Sequence, residues 1–427
     1  MEIYVVQFGD TVYSIAQKFN ITVDKLIIDN GIEESYALVV GQTLVISYPK
    51  QVYTVKEGDS LDQIAEAFQV SVLQLLRNNH YLANRQYIYP GETLVISYNN
   101  NKGSLLVTGY TYPFIQDEIL KMTLPSLTYL LILNYRLTSN GDVVGGDEDV
   151  AVIETANLYG TATTLIVTAF SLLGEIDISV VYEILLNPQI QDRIIERLLT
   201  VLRTKGYNGV NLSFQFLNTN NEQMYLNYLT KVSNSLHQEG YSVYLTINPG
   251  LMLEGSEVTF EKINYAAFSE ISDGLLFLSY DWGSIERPPQ QFSIVTTKSL
   301  LDYIVAQVPL DKIRIGLPTL GYDWMLPYVP GKSRANALNY SSALTLARQM
   351  NAIIHYDENT LSAYFQYVDN NNNEHIVWFK DARSIDSSLK ILQGYGIKGI
   401  GIWNVMYYFT EMWLVINTQY QIEKIGI

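Results

Sequence analysis

The chain contains 427 residues, of which 48 % are hydrophobic and 16 % charged, enough apolar material for large cores and too much for a disordered chain. Lys and Arg number 27 against 43 Asp and Glu, so the net charge is −16, and we expect no nucleic-acid partner because this surface repels phosphates. With no cysteine and four scattered histidines, the sequence predicts no disulfide, no metal site and no cofactor.

Neither a membrane span nor a secretory signal is expected. The most apolar stretch, residues 396–416, contains Lys398, Asn404 and Glu411, which a membrane-spanning helix would carry at high cost. The first residues, MEIYVVQ, lack a basic segment followed by a small-residue cleavage site.

The first hundred residues contain a repeat. Residues 4–11 (YVVQFGDT) recur at an offset of 49 as residues 53–60 (YTVKEGDS). In each copy a predicted strand is followed by two amphipathic helices and a second strand, and Thr11 and Ser60 suit the N-cap of the first helix. This order predicts a small α+β (βααβ) module in each copy.

These copies resemble the LysM family over residues 2–98, most specifically in the Gly-Asp-Thr/Ser start and the Gly-Gln/Glu-Thr-Leu-Val-Ile end. We assign module 1 to residues 1–49 and module 2 to residues 50–98. The resemblance implies binding of N-acetylglucosamine glycans, peptidoglycan or chitin. In each module the sugar would lie across two loops, one after the first strand and one between the second helix and the second strand. The loop after the first strand contains Gly9, Asp10 and Thr11 in module 1 and Gly58, Asp59 and Ser60 in module 2. For those six residues, turn formation and helix capping are the favoured interpretation over direct sugar contact.

A polar linker, residues 99–103, precedes a second pattern over residues 104–427. Eight apolar strand-like runs alternate with helical stretches, at residues 105–110, 128–133, 164–169, 209–216, 242–247, 274–280, 313–318 and 399–403. Such alternation predicts an α/β fold, a (β/α)8 TIM barrel. A hairpin pattern at residues 364–379 predicts a small α+β insertion at about residues 320–390 on the catalytic face.

The fourth predicted strand carries polar residues where a barrel interior is usually apolar. Alternation directs Val210, Leu212, Phe214 and Phe216 towards the helices, and directs Asn211, Ser213 and Gln215 into the lumen. Because buried polar groups are costly unless they are satisfied, the row indicates a functional site.

The barrel resembles glycoside hydrolase family 18, and the whole chain resembles the cortical-fragment-lytic enzymes of bacterial endospores, which are N-acetylglucosaminidases. The stretches that carry the resemblance are residues 206–215, 278–283, 316–318, 321–324, 377–384 and 399–403. The resemblance implies that Tyr280 and Asp281 hydrogen-bond the N-acetyl group and that Trp403 forms the aromatic floor beneath the sugar. The alternative to sugar binding is a purely structural role for each residue. Trp403 would then be part of the core, and Tyr280 would hydrogen-bond a buried backbone group.

One departure from the family is decisive for activity. The family ends strand four with Asp-x-Glu, whose Glu protonates the glycosidic oxygen while its Asp orients the attacking N-acetyl group; this chain has Ser213-Phe214-Gln215. Gln215 has no titratable proton, Ser213 is short and uncharged, and loss of a general acid alone forfeits about 10²–10⁴ in rate. The explanations are an engineered trap, a displaced acid such as Asp281 or Asp323, or a natural pseudoenzyme, which we favour.

These features predict a glycan-binding protein of the spore envelope, made in the mother-cell cytoplasm, with an inactive barrel; the alternative is an N-acetylglucosaminidase acting on cortex fragments. Its 33 tyrosines raise the further hypothesis that exposed phenols cross-link it to other spore coat or exosporium proteins. Residues 147–149 (Asp-Glu-Asp) are interpreted as a solvated loop rather than a calcium site.

Overall fold

The computed structural model describes residues 1–32, 37–85, 87–99, 101–169, 177–214, 216–254, 257–278, 294–329 and 332–425.

Both repeats form strand–helix–helix–strand modules. Module 1 consists of β1 (Glu2–Val5), α1 (Val12–Lys18), α2 (Val23–Asn30) and β2 (Thr43–Ile46). Module 2 consists of β3 (Gln51–Thr54), α3 (Leu61–Phe68), α4 (Val72–Asn78) and β4 (Thr93–Ser97). The order of elements is the predicted one, and in each module the two strands pair antiparallel.

In each module a buried asparagine, at equivalent positions of the repeat, hydrogen-bonds the second strand. Asn30 Nδ2 donates to the Val45 carbonyl at 3.1 Å, and the Val45 amide returns a bond to Asn30 Oδ1 at 2.6 Å. Asn79 makes the same pair of bonds with Val95, at 2.9 and 2.8 Å. Each amide therefore satisfies strand backbone groups that no neighbouring strand reaches.

The remaining elements follow in chain order: β5 (Ser104–Thr111), α5 (Asp117–Thr123), β6 (Tyr129–Leu137), β7 (Val143–Val144), α6 (Val150–Leu158), β8 (Ala162–Thr168), α7 (Ile178–Leu186), α8 (Pro188–Lys205), β9 (Gly209–Phe214), α9 (Glu222–Gln238), β10 (Ser242–Ile247), β11 (Leu251–Glu254), β12 (Glu257–Phe260), α10 (Tyr265–Glu270), β13 (Gly274–Phe277), α11 (Ile294–Val305), β14 (Ile313–Pro318), β15 (Gly321–Met325), β16 (Asn336–Leu338), α12 (Tyr340–Gln349), β17 (His355–Asp357), β18 (Ser362–Val368), β19 (Glu374–Phe379), α13 (Ala382–Gly394), β20 (Gly399–Trp403), α14 (Thr410–Gln419) and β21 (Gln421–Ile422).

Eight of these strands form a closed parallel barrel. Each of β5, β6, β8, β9, β10, β13, β14 and β20 pairs in parallel with the next, and β20 pairs with β5 to close the ring. The predicted TIM barrel is confirmed. No helix in the described part of the chain is both long and apolar enough to cross a bilayer.

The insertion between β14 and β20 is a five-stranded antiparallel sheet with one helix, α12. Its strand order is β16-β15-β19-β18-β17, and the predicted hairpin corresponds to β18 and β19. At its tip, Asp369 Oδ1 accepts from the backbone amides of Asn371 and Asn373, both at 2.8 Å.

The two modules pack against the barrel. Val39 and Val45 of module 1 belong to the same buried cluster as the barrel core. The His80 ring of module 2 stacks on Tyr408 with centroids 5.1 Å apart, and the Lys102 amide of the linker donates to the Gln419 carbonyl at 3.1 Å. The fixed position of the modules arises from contacts between residues distant in sequence.

Two sequence-based interpretations of individual residues require correction. Phe216 does not face the helices: β9 ends at Phe214, and Phe216, with a φ of 60°, is 43 % exposed in the following turn. Asp149 is not solvated, because it is buried and bonded to Lys205 and Tyr207.

The cross-linking hypothesis loses its premise, because most described tyrosines are buried or half-buried. Those that are exposed in the described ranges are Tyr13, Tyr48, Tyr87, Tyr89 and Tyr407.

Candidate functional site

A chain of hydrogen bonds crosses the barrel lumen on three strands. Thr246 Oγ1 of β10 donates to Asn211 Oδ1 of β9 at 2.8 Å and lies 2.8 Å from the Tyr110 hydroxyl of β5. Because a threonine hydroxyl has one hydrogen, Tyr110 is the donor to Thr246. Asn211 faces the lumen as predicted, but it is only 1 % exposed and its Oδ1 accepts from Thr246. In this structure it supports the site from beneath.

Below this chain lies a buried cation. The Arg314 guanidinium of β14 lies 5.2 and 4.8 Å from the ring centroids of Tyr129 and Tyr244, whose hydroxyls are 3.1 Å apart. Gly274 makes room for it, since a Cβ there would lie 1.8 Å from Arg314 Nη1. Side chains therefore occupy much of the lower lumen, and sites in such barrels lie at the carboxyl ends of the strands.

At those carboxyl ends, aromatic rings form a continuous run. Trp403, at the end of β20, meets Tyr110 edge-on with centroids 5.2 Å apart and Tyr112 at 6.4 Å. Tyr112 in turn stacks on Phe114 at 5.2 Å, and Phe114 is 73 % exposed. The run leads from the half-buried Trp403 outwards to solvent.

A groove of about 570 Å³ lies beside this run, above β5, β6 and β8. Its walls combine the aromatic surface of Tyr112 and Phe114 with polar and charged groups from Asn134, Arg136 and Glu148. Burial raises the pKa of Tyr112, which keeps its phenol neutral. Apolar ring faces beside hydrogen-bonding groups suit a pyranose, which has both kinds of surface.

Asp149 anchors the segment that carries Glu148 to the groove. Its carboxylate accepts from Tyr207 at 2.6 Å and from Lys205 at 3.0 Å. Burial acts to raise the pKa of Asp149, but the hydrogen bonds from Tyr207 and Lys205 outweigh it, so the pKa is lowered and the group stays ionised.

The residues at the family's catalytic positions are described only in part. Ser213 is half-buried on β9, opposite Thr246 of β10, and shares the lumen face with Asn211 because alternate strand residues share a face. Gln215, Tyr280 and Asp281 lie outside the described residues.

Asp323, considered as a displaced acid, is held inside the insertion. It accepts from the Tyr367 hydroxyl at 2.8 Å and pairs with His375 Nδ1 at 2.9 Å, and it is 7 % exposed. Its hydrogen bonds account for it as part of the insertion's core.

In the modules, the Gly-Asp-Thr/Ser residues perform local structural roles. Thr11 and Ser60 cap α1 and α3 by accepting from the Ser14 and Gln63 amides, at 3.0 and 3.3 Å. Gly9 and Gly58 have φ angles of 85° and 87°, which other residues rarely adopt.

The aspartates Asp10 and Asp59 close the same turns. Asp10 accepts from the Tyr4 hydroxyl and the Gln7 amide, and Asp59 accepts from Tyr53 and Lys56, all at 2.7–2.8 Å.

Sequence reasoning missed the exposed aromatic residues. Phe8, 95 % exposed, and Tyr13, 62 % exposed, flank the first loop of module 1. Module 2 carries Glu57 and Asp62 at the equivalent positions, and exposes Tyr87 and Tyr89 before β4 instead. An alignment of the two copies contains a signal for these residues, because module 1 has aromatic residues where module 2 has acidic ones. Phe114, in the groove, had no comparable signal.

Comparison with known proteins agrees with this architecture. The family described as "Glycosyl hydrolases family 18" matches residues 107–407, and the LysM domain matches residues 4–47 and 53–97. The cortical fragment-lytic enzyme of Bacillus anthracis is 31 % identical over 439 residues, covering 100 % of both chains. That of Bacillus subtilis (strain 168) is 31 % identical over 435 residues, covering 99 % of both.

Solved structures extend the similarity to the whole fold. The Bacillus cereus spore cortex-lytic enzyme SleL superposes with a TM-score of 0.79 at 29 % identity, over 99 % of this chain and 98 % of that one. The putative sporulation-specific glycosylase ydhD from Bacillus subtilis superposes with a TM-score of 0.59 at 26 % identity, over 65 % of this chain and 92 % of that one. With two LysM modules before its barrel, this chain belongs to glycosyl hydrolase family 18.

Proposed function

We propose that this protein binds peptidoglycan and related N-acetylglucosamine glycans in the spore envelope, and that its family 18 barrel holds sugar without cleaving it. The observation that carries the proposal is Ser213-Phe214-Gln215 where the family has Asp-x-Glu. An amide at the acid position has no proton to give to a leaving oxygen, and a serine at the other position carries no charge to stabilise a cationic intermediate.

The groove supports retained sugar binding. The run Trp403–Tyr112–Phe114 offers ring faces from the barrel axis to solvent, beside the polar wall that includes Asn134 and Glu148. In the same proposal Tyr280 and Asp281 hydrogen-bond the N-acetyl group of the bound sugar, the role that the family resemblance assigns to them. Asn211 acts in it as a positioning residue through Thr246.

The modules supply the second contact with glycan. Phe8 and Tyr13 of module 1 and Tyr87 and Tyr89 of module 2 expose rings close in sequence to the two loops that LysM resemblance assigns to sugar. In this proposal those rings cover the sugar, while Gly9, Asp10, Thr11, Gly58, Asp59 and Ser60 shape the loops.

The spore location rests on the relatives. Several are named cortical fragment-lytic or sporulation-specific enzymes of Bacillus, and the similarity to the first covers the full chain. We therefore propose that the protein is made in the mother cell and lies at the cortex or coat, where peptidoglycan is its partner. Contact with other coat proteins would not require tyrosine cross-links.

The alternative is an active N-acetylglucosaminidase on cortex fragments, by the substrate-assisted retaining mechanism. Glu148 favours it, because this carboxyl group lines the groove beside the aromatic run. Glu148→Gln tests this alternative. If Glu148 is the acid, the substitution abolishes product release; if the barrel is inactive, no product is released by either chain.

Co-sedimentation with purified cortex peptidoglycan tests the binding function. The chain is expected in the pellet with intact glycan, and mass spectrometry of the supernatant is expected to find no released saccharide. Absence of the chain from the pellet would contradict the proposal.

A further inference from the structure

A second pocket, of about 400 Å³, opens where both modules meet the barrel. Module 1 contributes Tyr48, module 2 contributes Tyr98, and helices α13 and α14 of the barrel contribute Asp386, Lys390 and Gln419. It is lined by different residues from the barrel groove and contains none of the loop residues that LysM resemblance assigns to sugar. We refer to it as the junction pocket.

The repeat places one aromatic ring from each module in the junction pocket. Tyr48 and Tyr98 each follow the second strand of their module in the same pair, Ser47-Tyr48 and Ser97-Tyr98. Tyr98 is 6 % exposed and forms a buried wall, whereas Tyr48 is 47 % exposed at the rim. The lining therefore includes one fixed and one accessible aromatic ring.

The barrel side of the junction pocket supplies hydrogen-bonding groups in a fixed geometry. Asp386, 7 % exposed, accepts from Gln419 Nε2 at 3.1 Å and pairs with Lys390 Nζ at 2.6 Å. An ionised carboxylate has about four acceptor positions, so it can accept further hydrogen bonds.

Gln419 adds an acceptor beside Asp386. Both of its amide hydrogens are used, since Nε2 also donates to the Val415 carbonyl at 3.0 Å. Its Oε1 accepts from no donor in the part of the chain that the structure describes. A hydroxyl-bearing ligand could use this oxygen directly.

We propose that the junction pocket binds a saccharide unit of the N-acetylglucosamine class. Asp386 faces two cations, Lys390 Nζ at 2.6 Å and Lys102 Nζ at 4.0 Å, and the volume falls within the range of about 300–1,000 Å³ typical of small-molecule sites. The class of sugar rests on the proposed function. Because the lining comes from both modules and the barrel, a bound sugar stabilises their arrangement.

Isothermal titration of the full chain with chitobiose tests this site, with cellobiose as the disaccharide lacking acetamido groups. Tyr48→Ala and Lys390→Met each alter an exposed lining residue, and Lys231→Met, which breaks a surface pair with Asp192 on other helices, is the matched control. We expect each of the two pocket variants to lose one binding equivalent, or to weaken it at least tenfold, while Lys231→Met and the peptidoglycan co-sedimentation stay unchanged.

Unchanged stoichiometry and affinity in both pocket variants would overturn the inference, as would the absence of chitobiose binding by the unmodified chain. Unchanged binding in both pocket variants leaves the proposed function intact while the chain still sediments with peptidoglycan. Absence of chitobiose binding by the unmodified chain also contradicts sugar binding by the barrel. Loss of that sedimentation in the unmodified chain contradicts the proposed function instead.

Discussion

Gly41 of module 1 lies directly against the backbone of Ile354 in the insertion. A Cβ on Gly41 would lie 1.9 Å from the Ile354 carbonyl oxygen, and the Ile354 amide donates to the Val40 carbonyl at 2.9 Å. Module 1 is therefore docked backbone to backbone, with no space for a side chain. The equivalent residue of module 2, Gly91, has nothing within 4 Å of its Cβ position.

This difference predicts unequal effects of Gly41→Ala and Gly91→Ala. Both residues have positive φ, 86° and 93°, so each substitution costs about 1–2 kcal/mol of backbone strain. Only Gly41→Ala also clashes with Ile354, and we expect it to release module 1 from the barrel. Urea unfolding with hydrogen exchange measures both effects; equal stability and equal protection of module 1 in the two variants would refute the docking.

The buried Glu411 predicts a pH dependence of stability. Burial raises its pKa to about 8, and the nearby Asp381 adds to the rise. Between the pKa of the unfolded chain, about 4.3, and pH 8, the folded state binds more protons, so the free energy of unfolding falls as pH rises and levels off above 8. The fall attributable to this group is about 5 kcal/mol at most.

Thermal unfolding at pH 5 and pH 8 checks this dependence. Glu411→Gln should unfold at a similar temperature to the unmodified chain at pH 5 and at a higher one at pH 8. Glu118→Gln, on the exposed side of α5, should keep the full pH dependence. A parallel pH dependence in the chain with and without Glu411 would disprove the assignment.

Helix capping predicts how the LysM signature residues respond to substitution. Thr11→Ala and Ser60→Ala each remove a bond to the N3 amide of a helix and should cost about 1 kcal/mol of stability. Thr11→Ser should restore the cap. Peptidoglycan binding should be unchanged in all three; a loss of binding without a loss of stability would assign these hydroxyls to sugar.

The aromatic run predicts that Phe114 acts in binding rather than in folding. Phe114→Ala removes a 73 % exposed ring, so stability should change by no more than about 0.5 kcal/mol. The lost ring face should weaken chitooligosaccharide binding roughly fivefold, in line with about 1 kcal/mol per aromatic contact. Leu158→Ala, which truncates an 86 % exposed side chain at the end of α6, is the control. Titration calorimetry showing equal affinities for both variants would contradict a sugar platform.

The barrel was predictable because its information is local. Apolar strands alternate with amphipathic helices, and six of the eight predicted strands agree with the observed ones to within two residues at each end. Strand four was predicted to continue to Phe216 because its alternation persists, but side chains of Asn218 and Asn221 bond the Phe216 carbonyl and form a turn there.

The groove and the docking were not predictable from local patterns. Tyr112 and Trp403 meet although they are almost three hundred residues apart, because closure of the ring brings β20 next to β5. In the same way Val45 of module 1 is fully buried in the cluster that includes the barrel core. Asp149 looked like a loop residue because its partner Lys205 follows it by 56 positions.

The central claim is that Ser213 and Gln215 make the barrel inactive while its sugar site persists. The most direct measurement is product release from cortex muropeptide fragments by mass spectrometry, comparing the unmodified chain with Ser213→Asp/Gln215→Glu. We expect cleavage by the double variant alone, with a difference in rate of at least about 10²–10⁴ from the general acid. Comparable cleavage by the unmodified chain would contradict this account and place the acid elsewhere in the site.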